Sequence, residues 1–189
     1  LEDESGYTSE MQSRFGIRKI EARGAQVYLN NVSVYLDGIG YEPGMLSFEQ
    51  MRRHIHAIKA LGCNLVKMSM QGIDPRICNL ADSLGIMLWL TVPAPANLLP
   101  QNMAHHSREW ARVLALMETH PSIIAWSLYH PAWGTRNFSV SPETRQYLAA
   151  CYAQTKQRHP QFLLIDNDGP QHISNDGELS SDLLTVSLY

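Results

Sequence analysis

A chain of 189 residues with 44% hydrophobic and 17% charged residues can bury one sizeable core, so one main domain is expected rather than two. A net charge of −3 and an isoelectric point near 6.2 give no electrostatic basis for binding nucleic acid or an anionic membrane. No apolar run approaches the roughly 20 residues that span a bilayer, and the polar, acidic start holds no signal peptide. The expectation is a soluble chain of unspecified compartment. Position 1 is Leu rather than Met, which leaves a longer precursor open.

In chain order, residues 26–30 and 32–36 read as two strands around the turn residues Asn30 and Asn31. Ser47 starts a helix with Gln50 placed for a capping box; Met51, Ile55, Ile58 and Leu61 make its buried stripe, and Gly62 closes it. Residues 63–70 form a short apolar strand. Asp74 and Pro75 open a second helix with Ile77, Leu80, Ala81 and Leu84 inward and Gly85 at its end. The nearly all-apolar stretch 86–92 suits a strand covered on both faces. A third helix is expected over 108–118, buried through Val113, Leu114 and Met117, followed by a strand over 122–129. Ser141, Pro142 and Glu143 open a fourth helix reaching about His159, and strands follow at 162–165 and 183–188. The polar link 166–182 shows no helical pattern.

Strands alternating with helices imply a parallel α/β sheet, either open and doubly wound or most of a (β/α)₈ barrel. No phosphate-binding glycine turn follows any strand; Gly38-Ile39-Gly40 lacks the third glycine. Cys63, Cys78 and Cys151 are far apart in apolar surroundings, which favours buried free thiols. His54 and His56 do not share a helix face, and His105-His106 lacks metal-ligand spacing, so no metal or other cofactor is expected. Arg52, Arg53, His54 and Lys59 read as a solvated basic face.

Three stretches carry a family resemblance. The first is Phe15-Gly16-Ile17-Arg18-Lys19-Ile20-Glu21 with Tyr28-Leu29-Asn30-Asn31 and Val34-Tyr35-Leu36-Asp37-Gly38; the second runs over 51–67 and on to Asp74-Pro75-Arg76. The third, His120-Pro121-Ser122-Ile123-Ile124-Ala125-Trp126-Ser127-Leu128, is the most specific. Together they resemble glycoside hydrolase family 2, the β-galactosidases, β-glucuronidases and β-mannosidases. The resemblance implies a partial TIM barrel, strands one to six with a β-hairpin lead-in, over 15–189, and the tail of a preceding β-sandwich domain over 1–14.

The resemblance also implies where the chemistry would lie. Retaining glycosidases use two carboxyl groups about 5–5.5 Å apart, set at the carboxyl ends of barrel strands. After Trp126-Ser127-Leu128 the family has an Asn-Glu pair, and here those positions hold His130 and Pro131. Proline has no ionisable group, so the acid/base step is lost. His130 has a suitable pKa, yet it stands one residue early and faces the other way on a strand. The family's nucleophile, on strand seven, would lie beyond Tyr189. Lys67 stands where the family has an arginine, and Tyr189 keeps part of a strand-six signature.

Residual substrate binding would fall to Asp37, Lys67, Trp133, Asp166, Asp168 and Tyr189. Asp166-Asn167-Asp168-Gly169 also fits a simple turn, and Trp133 simple packing. The expectation is thus a β-glycosidase by ancestry, inactive in this chain, with a carbohydrate ligand as partner. The alternatives are a scaffold or interaction remnant with no ligand, and an enzyme whose catalytic groups come from sequence beyond Tyr189. Six strands of a barrel leave two open edges, so self-association, marginal stability and poor cover over Met68, Leu88 and Ile124 are expected.

Overall fold

The computed structural model describes residues 15–70, 74–92, 99–128, 141–166, 174–175, 178–179, 181–183 and 185. It opens with an antiparallel meander, β1 (Ile20–Arg23), β2 (Gln26–Leu29) and β3 (Val32–Val34), in the order β1-β2-β3. The expected pair of strands is therefore a trio. Asn30 and Asn31 both take positive φ, 50° and 67°, as the turn between β2 and β3 requires.

A five-stranded parallel sheet follows: β4 (Gly38–Gly40), β5 (Leu65–Ser69), β6 (Met87–Thr91), β7 (Ile123–Ser127) and β8 (Leu163–Ile165), paired in that order. The connections hold α1 (Phe48–Ala60), α2 (Arg76–Leu84), α3 (Pro100–Met117) and α4 (Pro142–Arg158). This is the α/β architecture with an antiparallel lead-in that the sequence pattern implies. Strand one of the parallel sheet is Gly38–Gly40, later than the resemblance placed it. Gly38 has to be a glycine there, since a Cβ would lie 2.8 Å from both the Leu65 Cβ and its carbonyl oxygen.

The helix signals hold at α1 and α4, while α2 begins at Arg76 with Pro75 at the N-cap position and no side-chain cap bond there. Ser47 Oγ accepts from the Gln50 N–H, and Gln50 Oε1 accepts from the Ser47 N–H at 2.9 Å, completing the capping box. Asp74 Oδ1 accepts from the Arg76 N–H at 2.9 Å, and Gly85 ends α2 with φ 65°. Two expectations fail. Leu61 is 78% exposed, because it stands past the last turn of α1 and rotates off its buried face. α3 begins eight residues early, at Pro100, and buries His106, Trp110, Leu114 and Met117 while Val113 stays partly covered. Proline at the first helical position and Asn102 Oδ1, accepting from the Leu99 N–H at 2.9 Å, supply a start that no Ser/Thr/Asp signal announced.

The core has two parts. Between sheet and helices lie Val66, Met68, Leu88, Leu90, Trp126 and Leu164, with Met51, Ile55, Ile77, Trp110 and Leu148. On the sheet's other face the meander supplies Ile20, Val27, Leu29 and Val34 against Leu65, Met87, Leu163 and Ile165. Met68, Leu88 and Ile124, expected to be poorly covered, are all buried to within 1% exposure. The helices cover the first two and the meander's cluster holds the third. Cys78 and Cys151 are buried and Cys63 partly so, all free; burial pushes the Cys78 thiol up to about 12, with Asp82 adding to it.

Beyond β8, a two-residue antiparallel ladder pairs β9 (Ser174–Asn175) with β10 (Glu178–Leu179), inside the link expected to lack helix. Asp182 then docks on β8: its N–H donates to the Leu164 carbonyl at 2.9 Å, and its carboxylate accepts from the Leu164 N–H at 2.7 Å. Lys156 pairs with that carboxylate. The expected strand 183–188 lies largely outside the described residues. No described helix is long and apolar enough to cross a membrane.

Candidate functional site

In a parallel sheet, chemistry gathers at the carboxyl ends of the strands, where the following loops converge. Side chains alternate along each strand, so the pairing register sorts them into layers. One layer runs Gly40, Lys67, Trp89, Ala125 and Leu163 across β4 to β8; the next, nearer the carboxyl ends, runs Ser69, Thr91, Ser127 and Ile165. A register shift between Leu88 and Trp89 brings Ala125 level with Trp89. Even-numbered neighbours such as Val66, Leu88, Leu90 and Trp126 point to the helices.

Three groups of these layers touch. The Trp89 indole N–H donates to Ser127 Oγ at 2.7 Å, tying β6 to β7 and fixing the ring. The Lys67 ammonium lies 5.4 Å from the Trp89 ring centroid, within cation–π range. Trp89 is partly exposed among buried neighbours. An oriented aromatic face, a cation and hydroxyls can bind a ligand by stacking and hydrogen bonding.

The sequence-predicted residues divide. Lys67 belongs to this layer. Asp166 follows β8 directly and is fully buried, its N–H donating to Ser181 Oγ at 3.4 Å. The Tyr152 hydroxyl on α4 is pushed up mainly by burial, with Asp182 and Asp166 adding. Asp37 lies at the wrong end. It precedes β4, and its backbone caps the start of β5: its carbonyl accepts from the N–H groups of Asn64 at 2.8 Å and Leu65 at 3.1 Å. This amino-end position comes from the later start of strand one. His130, Pro131, Trp133, Asp168 and Tyr189 lie outside the described residues.

Trp89 and Ser127 went unread as site residues. Trp89 sat inside an apolar stretch that looked buried on both faces, and Ser127 inside a motif. A two-residue period counted from Lys67 through the strand register finds both.

The most specific motif has a structural explanation. Asp82 of α2 accepts from the Ser122 N–H at 2.9 Å and lies 2.6 Å from His120 Nδ1, which holds α2 against the start of β7. Trp126 is fully buried edge-on to Trp110 and Phe162, with centroids 5.7 Å and 6.3 Å away. Arg18 donates to the backbone carbonyls of Pro121 at 3.0 Å, Gln161 at 2.8 Å and Ile123, and stacks over Phe162 at 4.9 Å. The first and third motifs are two halves of one contact.

No family model matches the chain. It is 26% identical over 143 residues to a protein of Formosa agariphila assigned as a β-glucuronidase, covering 71% of this chain and 17% of that protein. It is 25% identical over 143 residues to a β-galactosidase of Photobacterium profundum, covering 68% of this chain and 14% of that one. The structure superposes on the Ruminococcus gnavus β-glucuronidase in complex with D-glucaro-δ-lactam with a TM-score of 0.72 at 21% identity, covering 87% of this chain and 30% of that one. The chain spans less than a fifth of the curated relatives' length. It is a partial domain similar to those of glycoside hydrolase family 2, as the sequence motifs imply.

Proposed function

We propose that this chain is a β-glycosidase-derived domain that binds carbohydrate at the carboxyl ends of its parallel strands without hydrolysing it. The observation that carries the binding is the Lys67–Trp89–Ser127 contact, where a fixed indole, a cation and a hydroxyl meet on one face. Sugar rings stack on such faces, and their hydroxyls take up the polar groups beside them. The named similarity to a β-glucuronidase and a β-galactosidase supports β-glycosides as the ligand class.

The lack of turnover rests on residue type. Hydrolysis with retention needs a group that protonates the leaving oxygen and then activates water. The position after Trp126-Ser127-Leu128-Tyr129-His130 is Pro131, which can do neither. Residues 1–14 belong, on this reading, to the tail of a preceding domain. The test is paired. Calorimetry with galactosides, glucuronides and mannosides is expected to give weak heats that Trp89→Ala removes. Chromogenic β-glycosides are expected to give no turnover, and measurable turnover would refute the inactive assignment. No heat with any sugar would refute the binding.

A second reading, an interaction module, is favoured by one observation: among the described residues β4 pairs on one side only, and Ile39 on it is 43% exposed. An open strand edge accepts another strand. Self-association through β4 is the form this takes.

A further inference from the structure

On the meander side of the sheet, a groove of about 500 Å³ opens between β2, β3 and the Trp89 ring. That volume lies in the range of small-molecule sites, about 300–1,000 Å³. Its lining alternates along the chain. Ser33 and Tyr35 are polar and exposed, Val34 and Leu36 apolar and half-buried, and Gln26 with Val27 repeats the pattern on β2. Leu183 and Thr185 complete the lining, carried there by Asp182, which bonds Leu164 through both its N–H and its carboxylate. No residue lining the groove is acidic or basic. The Tyr28 hydroxyl donates to Gln26 Oε1 at 2.8 Å, which leaves the Gln26 amide N–H groups as donors. Ser33 and the 84% exposed Tyr35 add two hydroxyls.

We propose that the carbohydrate bound by this chain is an oligosaccharide, one of whose uncharged rings lies in this groove. The inference rests on carbohydrate binding at the strand ends, and Trp89 borders both places. A pyranose has the two-sided character of the lining, with C–H faces and hydroxyl edges. Its faces lie against Trp89, Val34 and Leu36, and its hydroxyls reach Gln26, Ser33 and Tyr35. A wholly apolar ligand would cover those polar groups without pairing them. A uronic acid ring would bring a carboxylate among groups none of which carries the opposite charge, and its lost hydration would go uncompensated. The groove therefore selects neutral rings.

The probes are β-linked gluco-, galacto- and manno-disaccharides, each titrated calorimetrically into the whole chain against its methyl β-monoglycoside. A β-linked disaccharide of two uronic acids, against methyl β-glucuronide, is the charged pair. The best neutral disaccharide is expected to bind about tenfold more tightly than its monoglycoside, as one or two hydrogen bonds and the added stacking provide. The diuronic acid is expected to gain nothing over its monoglycoside. Ser33→Ala and Tyr35→Ala, both at exposed positions, should bring the neutral ratio toward one. If every neutral disaccharide only matches its monoglycoside, or the diuronic acid gains as much as the neutral sugars, this inference falls and strand-end binding stands. No heat with any sugar removes both readings together. None of these results on the unmodified chain depends on a variant folding.

Discussion

Arg18 concentrates more contacts than any surface arginine needs. Its guanidinium reaches backbone carbonyls of Pro121, Ile123 and Gln161, at the starts of β7 and β8, and burial lowers its pKa to about 10. Removing it leaves the part-buried Pro121 and Ile123 carbonyls without this donor, so Arg18→Ala is expected to cost about 2 kcal/mol in urea unfolding. Lysine cannot span three carbonyls with one ammonium, so Arg18→Lys should recover less than half. Gly16 is bound to the same place, where an added Cβ would sit 2.4 Å from the Pro121 ring. Burial also governs His106, which is 6% exposed. The Tyr147 hydroxyl donates to the Met103 carbonyl at 2.8 Å and so accepts from His106 Nδ1–H at 3.0 Å. His106 is lowered by burial first and by His105 second. The folded state therefore binds fewer protons than the unfolded one below about pH 6.5, where free histidine titrates. Its share of stability is whole above that pH and is lost as the pH falls toward the lowered folded value. Urea midpoints between neutral and mildly acid pH should fall more steeply in the native chain than in His106→Gln; parallel slopes would count against the assignment.

At the scale of elements, helix α2 and strand β7 are joined by a carboxylate rather than by packing alone. Asp82 pairs with His120 and with the Ser122 backbone. Asp82→Ala should cost about 2 kcal/mol, since it strands a buried N–H, and Asp82→Asn about half that, because its oxygen still accepts from Ser122. Equal losses for the two would mean that the His120 contact, not the Ser122 bond, carries the effect. Helix α4 shows a related economy. Thr155, on its buried face, accepts from the Trp110 indole at 2.6 Å and donates to the Cys151 carbonyl at 2.7 Å. The start of α3 was illegible for a physical reason: its first turn is held by an asparagine reaching back to Leu99, a pairing that composition does not announce.

At the scale of the molecule, the two edges of the parallel sheet differ. The β8 edge is taken by Asp182, whose backbone and carboxylate both bond Leu164, with Lys156 pinning the acid. The β4 edge is unpaired among the described residues, and Ile39 on it is 43% exposed. Association should therefore run through β4. Light scattering across a concentration series is expected to show dimers or larger species that Ile39→Lys reduces, since a charge on an edge blocks strand addition. A native chain that stays monomeric throughout would sink this prediction and the interaction-module reading with it.

By itself the sequence determined the α/β alternation, the capped starts of α1 and α4, the glycine ends of α1 and α2, and the resemblance to β-glycosidases. These are local matters: caps, turns and hydrophobic period act over a few residues, and their signals are written in consecutive positions. Tertiary structure decided which strand is first in the sheet, and so sent Asp37 to the amino ends. It also decided that the arginine, glycine and histidine-proline motifs interlock as a scaffold. Above all it set the register that aligns Lys67, Trp89 and Ser127. Residues separated by 22 and 38 positions become neighbours only when strands pair, and no single strand carries that alignment.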